Sequence, residues 1–279
     1  MQQTAPHIGR AHIVGITGSP GVGKSTTTSA LVSAFRGRGQ RVAVLAVDPS
    51  SPFSGGALLG DRVRMQEHAT DDGVFIRSMA SRGHLGGLAW STPQALRVVD
   101  AAGFDVIIVE TVGVGQSEVE VAAAADTTVV LLAPGMGDGI QAAKAGILEV
   151  GDVFVVNKAD RDGADATARE LRHMLTLGER VEGGWTPPVL KSIASRGEGI
   201  GKVVGAIDAH LDWLKSTGTL GVRRRRRASL EVEAITVATL RARLSVVHGD
   251  ARLESLAERV ATGELDPYAA ADLLVDGLS

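Results

Sequence analysis

Residues 15–35, GITGSPGVGKSTTTSALVSAF, contain the glycine pattern that decides the fold. The pattern is GxxxxGK[ST], and it is filled by Gly18, Gly23, Lys24 and Ser25. An apolar, β-branched run precedes it and predicts a buried strand, whereas apolar residues at helical spacing follow it and predict a helix. Glycines between such elements let the backbone turn its N–H groups, and the positive helix end, toward phosphate oxygens. We therefore predict a nucleoside triphosphate site.

Each part of this loop has an expected role. Lys24 is expected to reach the β- and γ-phosphates, and the Ser25 hydroxyl is expected to bind Mg²⁺. The nucleotide-binding residues predicted from the loop are Gly18, Ser19, Pro20, Gly21, Val22, Gly23, Lys24, Ser25 and Thr26.

The composition favours a helix-covered parallel sheet and argues against several classes of site. Hydrophobic residues make up 44% of the 279 residues but aromatics only 3%, so Val, Ala, Leu and Ile must build the core. The net charge of −3 gives no general case for nucleic-acid binding. The chain has no cysteine, which excludes disulfides and cysteine-bound metals and fits a reducing compartment. Without a membrane-length apolar run or a secretory signal pattern, we expect a cytoplasmic protein with neither nucleic-acid nor membrane partners.

Strand and helix patterns alternate along most of the chain. We predict strands at the apolar runs 11–18, 41–48, 104–110, 127–133, 152–158 and 188–194, with a shorter one at 74–79. This alternation predicts a doubly wound, mostly parallel α/β sheet in residues 1–218. From residue 219 to 279 only helical patterns follow a linker-like STGTLGV, so we predict a helical arm there. The arginine run 223–227 is read as a solvated start of a helix, with contact to nucleic acid or another acidic surface as the less favoured alternative.

A second motif, NKAD, follows the predicted strand 152–158. The carboxylate of Asp160 could accept hydrogen bonds from N1–H and the 2-amino group of guanine, a pair that adenine does not offer. The stem of Lys158 could lie along the base, and Asn157 could tie this loop to the phosphate loop. The following strand ends in KSIA, whose residues Ser192, Ile193 and Ala194 could close over the base through backbone N–H groups. The motif favours GTP and GDP, although Asp160 could also be a helix cap.

Acidic residues at two other predicted strand ends supply candidates for a magnesium site. Glu110 opens ETVG, where it could bind Mg²⁺ through water or orient the attacking water, and Gly113 could approach the γ-phosphate. Many GTPases have Asp at the position of Glu110. Asp48 ends another strand, and Asp61 lies in the glycine-rich stretch after it. Mg²⁺ prefers oxygen ligands, so we predict Ser25, Asp48, Asp61 and Glu110 as its surroundings.

Several longer strings resemble the MeaB/ArgK family of GTPases, the chaperones of adenosylcobalamin-dependent methylmalonyl-CoA mutase. The most specific are AVDPSSPFSGGALLGDRVRM (46–65) and ETVGVGQSE (110–118), joined by SRGHLGGLA (81–89) and PGMGDGIQAAKAGILEV (134–150). The resemblance implies a homodimeric G protein with weak GTPase activity that gates adenosylcobalamin delivery to the mutase and protects or reactivates it.

The resemblance also implies roles for individual residues. Lys24, Asp61 and Glu110 would serve catalysis, and Lys144 in the GMGDGIQAAK loop (135–144) would be the residue through which the mutase stimulates hydrolysis. The C-terminal helices would form the dimer arm. Two alternatives remain at this point: a P-loop kinase or ATPase linked to lysine/arginine/ornithine transport, and a metal-delivery GTPase of the nickel-insertion type. The second normally carries His-rich or Cys/His metal sites, which this sequence lacks.

Overall fold

A computed structural model describes residues 5–48, 65–68, 70–80, 91–111, 117–135, 147–177, 183–245 and 251–276, and the statements below concern these ranges. Its framework is a seven-stranded, all-parallel sheet in the order β3-β2-β4-β1-β5-β6-β7. The strands are β1 (His12–Gly18), β2 (Val42–Asp48), β3 (Val74–Ala80), β4 (Val106–Thr111), β5 (Thr127–Leu132), β6 (Val153–Val156) and β7 (Val189–Lys191). The predicted doubly wound α/β fold is confirmed.

Nine helices are described in these ranges. They are α1 (Lys24–Arg36), α2 (Thr92–Ala101), α3 (Ser117–Ala124), α4 (Ile147–Val150), α5 (Ala164–Leu177), α6 (Ile200–Ser216), α7 (Thr219–Ser245), α8 (Ala251–Ala261) and α9 (Pro267–Asp276). Short 3-10 turns lie at Ala5–His7, Gln66–His68 and Ala194–Arg196. No helix in the described ranges is both long and apolar enough to cross a membrane.

The sheet is buried on both faces, as its continuous apolar strands predict. In β1, Val14 and Ile16 pack into a core cluster shared with α1 and α6, whereas Ile13 packs into a second cluster shared with α2 and α3. Since successive side chains of a strand point to opposite faces, these two clusters are the two helical layers of a doubly wound fold. The layers leave the carboxyl ends of the strands open for ligand loops.

The chain divides into two compact units, Met1–Arg224 and Arg225–Ser279. The predicted linker is shorter than its sequence suggests: Ser216 still belongs to α6, and α7 already begins at Thr219. Only Thr217 and Gly218 separate the two helices, and Gly218 takes the left-handed conformation (φ 72°) that ends a helix.

The amino-terminal edge of the sheet carries a buried polar group of residues, which we call the sheet-base network: His12, Thr127, His210, Asp152 and Arg223. The Thr127 hydroxyl lies 2.8 Å from His12 Nε2 and 2.9 Å from His210 Nδ1. His210 Nε2 lies 3.2 Å from Asp152 Oδ1, a close contact whose angle falls short of a hydrogen bond. Burial lowers the pKa of both His12 and His210 to about 4. Both imidazoles are therefore neutral near pH 7.

Two residues of the arginine run are anchored at this same edge, so the reading of the run as a solvated helix start is wrong for them. Arg223 donates to both carboxylate oxygens of Asp152 at 3.0 and 2.9 Å. Arg224 does the same to the fully buried Asp126, at 3.2 and 2.7 Å. Bidentate pairs to buried carboxylates are strong and directional, so they hold the second turn of α7 against the sheet. Arg225 and Arg226, in contrast, are exposed.

Candidate nucleotide-binding site

The loop between β1 and α1 is built by glycine at the positions where a side chain would not fit. Gly23 precedes α1 with a φ of 95°, and a Cβ there would lie 2.6 Å from Asn157 Nδ2. Gly18 has a φ of 140° and approaches the backbone of β5 at Leu131. The loop therefore packs closely against the NKAD segment at Gly23. Its backbone conformation requires glycine at both positions.

Lys24 is held within this loop. Its Nζ donates to the carbonyl oxygens of Gly18 at 2.7 Å and of Ser19 at 3.1 Å, and the residue is only 8% exposed. These contacts keep a buried positive charge beside the N-terminus of α1, which itself attracts anions. The loop is thus suited to bind phosphate groups.

Ser25 and Glu110 meet at the first turn of α1. The Ser25 hydroxyl donates to Glu110 Oε1 at 2.7 Å, and Glu110 is 3% exposed at the end of β4. Asp48 ends β2, the strand beside β4, since Ala46 and Val47 pair with Glu110 and Thr111. Hard oxygen donors of this kind suit Mg²⁺, so Ser25 and Glu110 fit the ion that triphosphate chemistry requires. Among the described residues, no group of three or more His, Asp or Glu side chains is placed to hold a metal ion.

Asn157 joins three loops through its side-chain amide. Its Nδ2 donates to Val22 O at 2.9 Å, and its Oδ1 accepts from Ser192 Oγ and Ala194 N, both at 3.1 Å. Asn157 itself is 3% exposed. The tie to the phosphate loop lies where the sequence analysis places it. Because the Ala194 N–H is already bound by Asn157, it is not available to the base in this arrangement.

Lys158 and Asp160 follow on the outer side of the same loop. Lys158 takes a φ of 56°, unusual for a residue with a side chain, and its Nζ donates to Gly21 O at 2.6 Å. Asp160 is exposed, and its carboxylate lies 4.0 Å from the Arg196 guanidinium. Asp160 thus stands two residues after Lys158, in the loop that Asn157 ties to the phosphate loop.

The phosphate loop and the first two turns of α1 border a cavity of about 680 Å³, large enough for a nucleotide, whose lining does not include the NKAD residues 157–160. Lys24, Ser25 and Glu110 line it, as do Ala194 and Ser195. The cavity also includes residues that the sequence analysis missed: Ser29, Ala30, Glu67 and Ser195. Ser29 and Ala30 lie one helical turn after Ser25 and Thr26, so helical spacing could have identified them. No local motif identifies Glu67.

Some predicted site residues are not brought into this geometry. Asp61, Gly113 and Lys144 lie outside the described residues, and so does the side chain of Asp48. Their roles remain predictions from the sequence and the resemblance.

Comparisons with known proteins agree on one family. The family model described as "Methylmalonyl Co-A mutase-associated GTPase MeaB" matches residues 1–248. The chain is 48% identical to a putative GTPase of Pyrococcus abyssi over 272 residues, which is 97% of this chain and 84% of the relative. It is 36% identical to the mouse protein "Methylmalonic aciduria type A homolog, mitochondrial" over 267 residues, covering 94% of this chain and 64% of that protein.

A solved structure shows the same fold. The crystal structure of a LAO/AO transport system kinase aligns with a TM-score of 0.69 and 29% identity, covering 99% of this chain and 84% of that one.

Proposed function

The chain belongs to the MeaB/ArgK family of GTPases, and we propose that it serves a methylmalonyl-CoA mutase as a GTP-hydrolysing chaperone. In this role it would gate adenosylcobalamin delivery to the mutase and protect or reactivate it. The match of the family model over residues 1–248 is the observation that carries this proposal. The likeness to the mouse protein, whose name refers to methylmalonic aciduria, supports it.

The phosphate end of the site supplies the groups that GTP hydrolysis needs. Lys24 would neutralise charge on the β- and γ-phosphates, and the backbone N–H groups of the glycine loop would bind their oxygens. Ser25 and Glu110 would hold Mg²⁺, directly or through water, and the ion when bound would supply positive charge that stabilises the negative charge developing on the phosphates. Glu110, buried at the strand end, would fix the position of water near the γ-phosphate. Asp48, Asp61 and Gly113 are proposed to complete these surroundings.

The base end is proposed to select guanine. Asp160 would accept the N1–H and 2-amino hydrogen bonds, and the Lys158 stem would lie along the ring. Asn157 would keep both residues in register with the phosphate loop, since it bonds to Val22 at one end and to Ser192 and Ala194 at the other. A ligand held at both ends loses little freedom on reaching the reactive geometry, which favours turnover.

The helical arm is proposed to form a homodimer. On α7, Leu230, Val232, Ile235, Val237 and Leu240 are between 42% and 62% exposed. At helical spacing Leu230, Val237 and Leu240 lie on one side of α7, and Val232 and Ile235 lie on the other. Exposed aliphatic side chains are unfavourable in water, and a self-complementary contact with a second copy would bury at least one of these sides. We further propose a cytoplasmic location for the dimer.

The decisive experiment measures phosphate release from GTP with and without purified methylmalonyl-CoA mutase of the same organism. We expect slow release by the chain alone and faster release with the mutase, because partners usually accelerate weak G proteins by ordering loops at the γ-phosphate. Lys144→Ala is expected to lose most of that acceleration. If the mutase neither accelerates hydrolysis nor co-elutes with the chain, the chaperone proposal is wrong although the GTPase assignment stands.

A kinase linked to amino-acid transport is the second candidate, raised by the description of the aligned structure. Phosphate release without any acceptor substrate separates the two. A kinase would need an acceptor, whereas the GTPase transfers the phosphoryl group to water.

A further inference from the structure

The chain returns to α1 through a small polar cluster of three residues, Ser29, Glu67 and His68, which we call the Ser29 cluster. The Ser29 hydroxyl donates to Glu67 Oε1. His68 Nε2 lies 3.0 Å from Ser29 Oγ and 3.2 Å from Ser29 O. Because the Ser29 proton is used by Glu67, His68 must carry its proton on Nε2 and donate toward Ser29. Ser29 thus joins an imidazole and a carboxylate.

Core packing holds the backbone of the Ser29 cluster in place. Ser29 and His68 are buried, 7% and 8% exposed, and Met65, three residues before His68, is 1% exposed within the main core cluster. The side chain of Glu67, in contrast, is 66% exposed. The backbone that carries Glu67 is therefore anchored by packing, while its carboxylate reaches out of the core.

Glu67 reaches the nucleotide cavity. It lines the same 680 Å³ cavity as Lys24, Ser25 and Glu110. Its partner Ser29 lies four residues after Ser25, about 6 Å farther along α1. Glu67 is thus displaced from the residues proposed for phosphate and Mg²⁺. One carboxylate oxygen is held by Ser29, and among the described residues no hydrogen bond reaches the other.

From this arrangement we propose that Glu67 is a specificity-determining residue that accepts a hydrogen bond from a ribose hydroxyl of the bound guanosine nucleotide. A carboxylate repels phosphates unless Mg²⁺ lies between them, and Glu67 is displaced from the residues proposed for that ion, so a neutral donor is the partner this position favours. A guanosine nucleotide offers such donors on the base edge, which Asp160 is proposed to bind, and on the ribose. Acidic side chains bind ribose hydroxyls in other nucleotide folds for the same reason. The inference rests on the guanine-nucleotide part of the proposed function, not on the mutase.

Ser29 and His68 are positioning residues in this scheme. They hold one oxygen of Glu67 so that the carboxylate loses little freedom when the ribose binds. Removing the Ser29 hydroxyl should therefore weaken recognition of the ribose without abolishing it.

The test compares the dissociation constants of GDP, 2′-deoxy-GDP and 3′-deoxy-GDP by calorimetry on the full chain at saturating Mg²⁺. We expect the parent to bind GDP about tenfold tighter than at least one deoxy analogue, the usual effect of a hydrogen bond to a charged group. In Glu67→Ala that ratio should fall to about twofold or less, and in Ser29→Ala to an intermediate value. Glu170→Ala, which removes an exposed glutamate of α5, is the matched control and should keep the parent ratio.

Several results would overturn the proposal. Equal affinity of the parent for all three nucleotides is one, and an unchanged ratio in Glu67→Ala is another. A shift in the Mg²⁺ requirement of Glu67→Ala at constant ratio would assign Glu67 to the metal instead. If Glu67→Ala does not fold, Glu67→Gln is the alternative, because it keeps the shape of the side chain and removes its charge. The preference of Glu67→Gln for GDP over the deoxy analogue should be at least about threefold smaller than that of the parent. Failure of the parent to bind GDP at all would instead refute the guanine site itself.

Discussion

Acid should destabilise this protein through the two buried histidines of the sheet-base network. Burial lowers the pKa of His12 and of His210 from 6.5 to about 4, so the folded state keeps both imidazoles neutral where the unfolded chain would protonate them. Because the folded pKa lies below the unfolded one, the stabilisation is complete above pH 6.5 and is lost as the pH falls toward 4.

The size of the loss follows from the two pKa values. At pH 5.5 the unfolded state of each histidine is mostly protonated and the folded state hardly at all, which costs about 1.3 kcal/mol per histidine relative to pH 7.5. The two together should cost about 2.6 kcal/mol, a substantial share of a typical unfolding free energy. The charges facing these rings act in both directions: Asp126, Asp152 and Asp208 favour protonation, and Arg223 and Arg224 oppose it.

Urea unfolding at several pH values between 5.5 and 7.5 measures this loss. Tryptophan fluorescence is a suitable signal, since the rings of Trp185 and Trp213 lie 4.8 and 5.8 Å from His210. His210→Gln should be less stable than the parent at pH 7.5 but should show only about half of the pH dependence. His173→Gln, at an exposed site on α5, should keep the full dependence. A parent whose stability is constant from pH 7.5 to 5.5 would refute the reasoning.

Three further changes test the proposed site and assembly. Asp160→Asn should weaken GTP binding by about 2–4 kcal/mol and favour xanthosine triphosphate, measured by nucleotide competition; unchanged GTP affinity would remove Asp160 from the base site. Glu110→Ala should retain nucleotide but slow phosphate release about a hundredfold, because water positioning acts mainly on the transition state; hydrolysis at the parent rate would make Glu110 structural. Ile235→Glu combined with Leu240→Glu should convert a dimer to a monomer in light scattering, and a parent that is already monomeric would contradict the proposed dimer.

The sequence predicts most of the fold because its signals are local. The strand, glycine turn and helix around Lys24 are contiguous, and all seven strands occur where apolar runs predict them. The ends are less well predicted: the run 188–194 yields only Val189–Lys191 as a strand. The Ser192 N–H still donates to Val156 O of β6, but a 3-10 turn begins at Ala194, where the Ser192 hydroxyl and the Ala194 N–H donate to the Asn157 side chain. Asn157 is 35 and 37 positions from these two residues, and a sequence pattern with helix or strand periodicity cannot predict a contact over that separation.

The candidate site also contains residues that local motifs predict and one that they do not. Lys24, Ser25 and Asn157 belong to motifs whose spacing predicts their chemistry. Lys24 and Ser25 line the cavity, and Asn157 bonds to Val22 in the phosphate loop. Glu67 belongs to no motif. It reaches the cavity because the packing of Met65 and the bond from Ser29, 38 positions earlier, place it there. A pairing of this kind depends on tertiary packing, so sequence reasoning had no signal for it.

The arginine run shows why charge patterns alone mislead. Five consecutive arginines suggest a solvated surface, and exposed ion pairs contribute little to stability. Arg223 and Arg224 instead meet Asp152 and Asp126, carboxylates that sit at the starts of buried strands and are 6% and 0% exposed. Leaving either carboxylate buried without a cation would cost several kcal/mol, so the pairs are required once those aspartates are placed inside.

The two ends of the same strands therefore perform different tasks. β1 ends at Gly18 in the nucleotide loop and begins at His12 in the sheet-base network, and its seven residues separate the two by about 20 Å. At that distance two unit charges interact by less than about 1 kcal/mol at an effective dielectric constant of about 20. Acid titration of His12 should thus change the stability of the sheet without acting directly on Lys24 or Glu110. This separation lets the amino-terminal edge hold the start of α7 independently of the nucleotide site at the carboxyl ends of the strands.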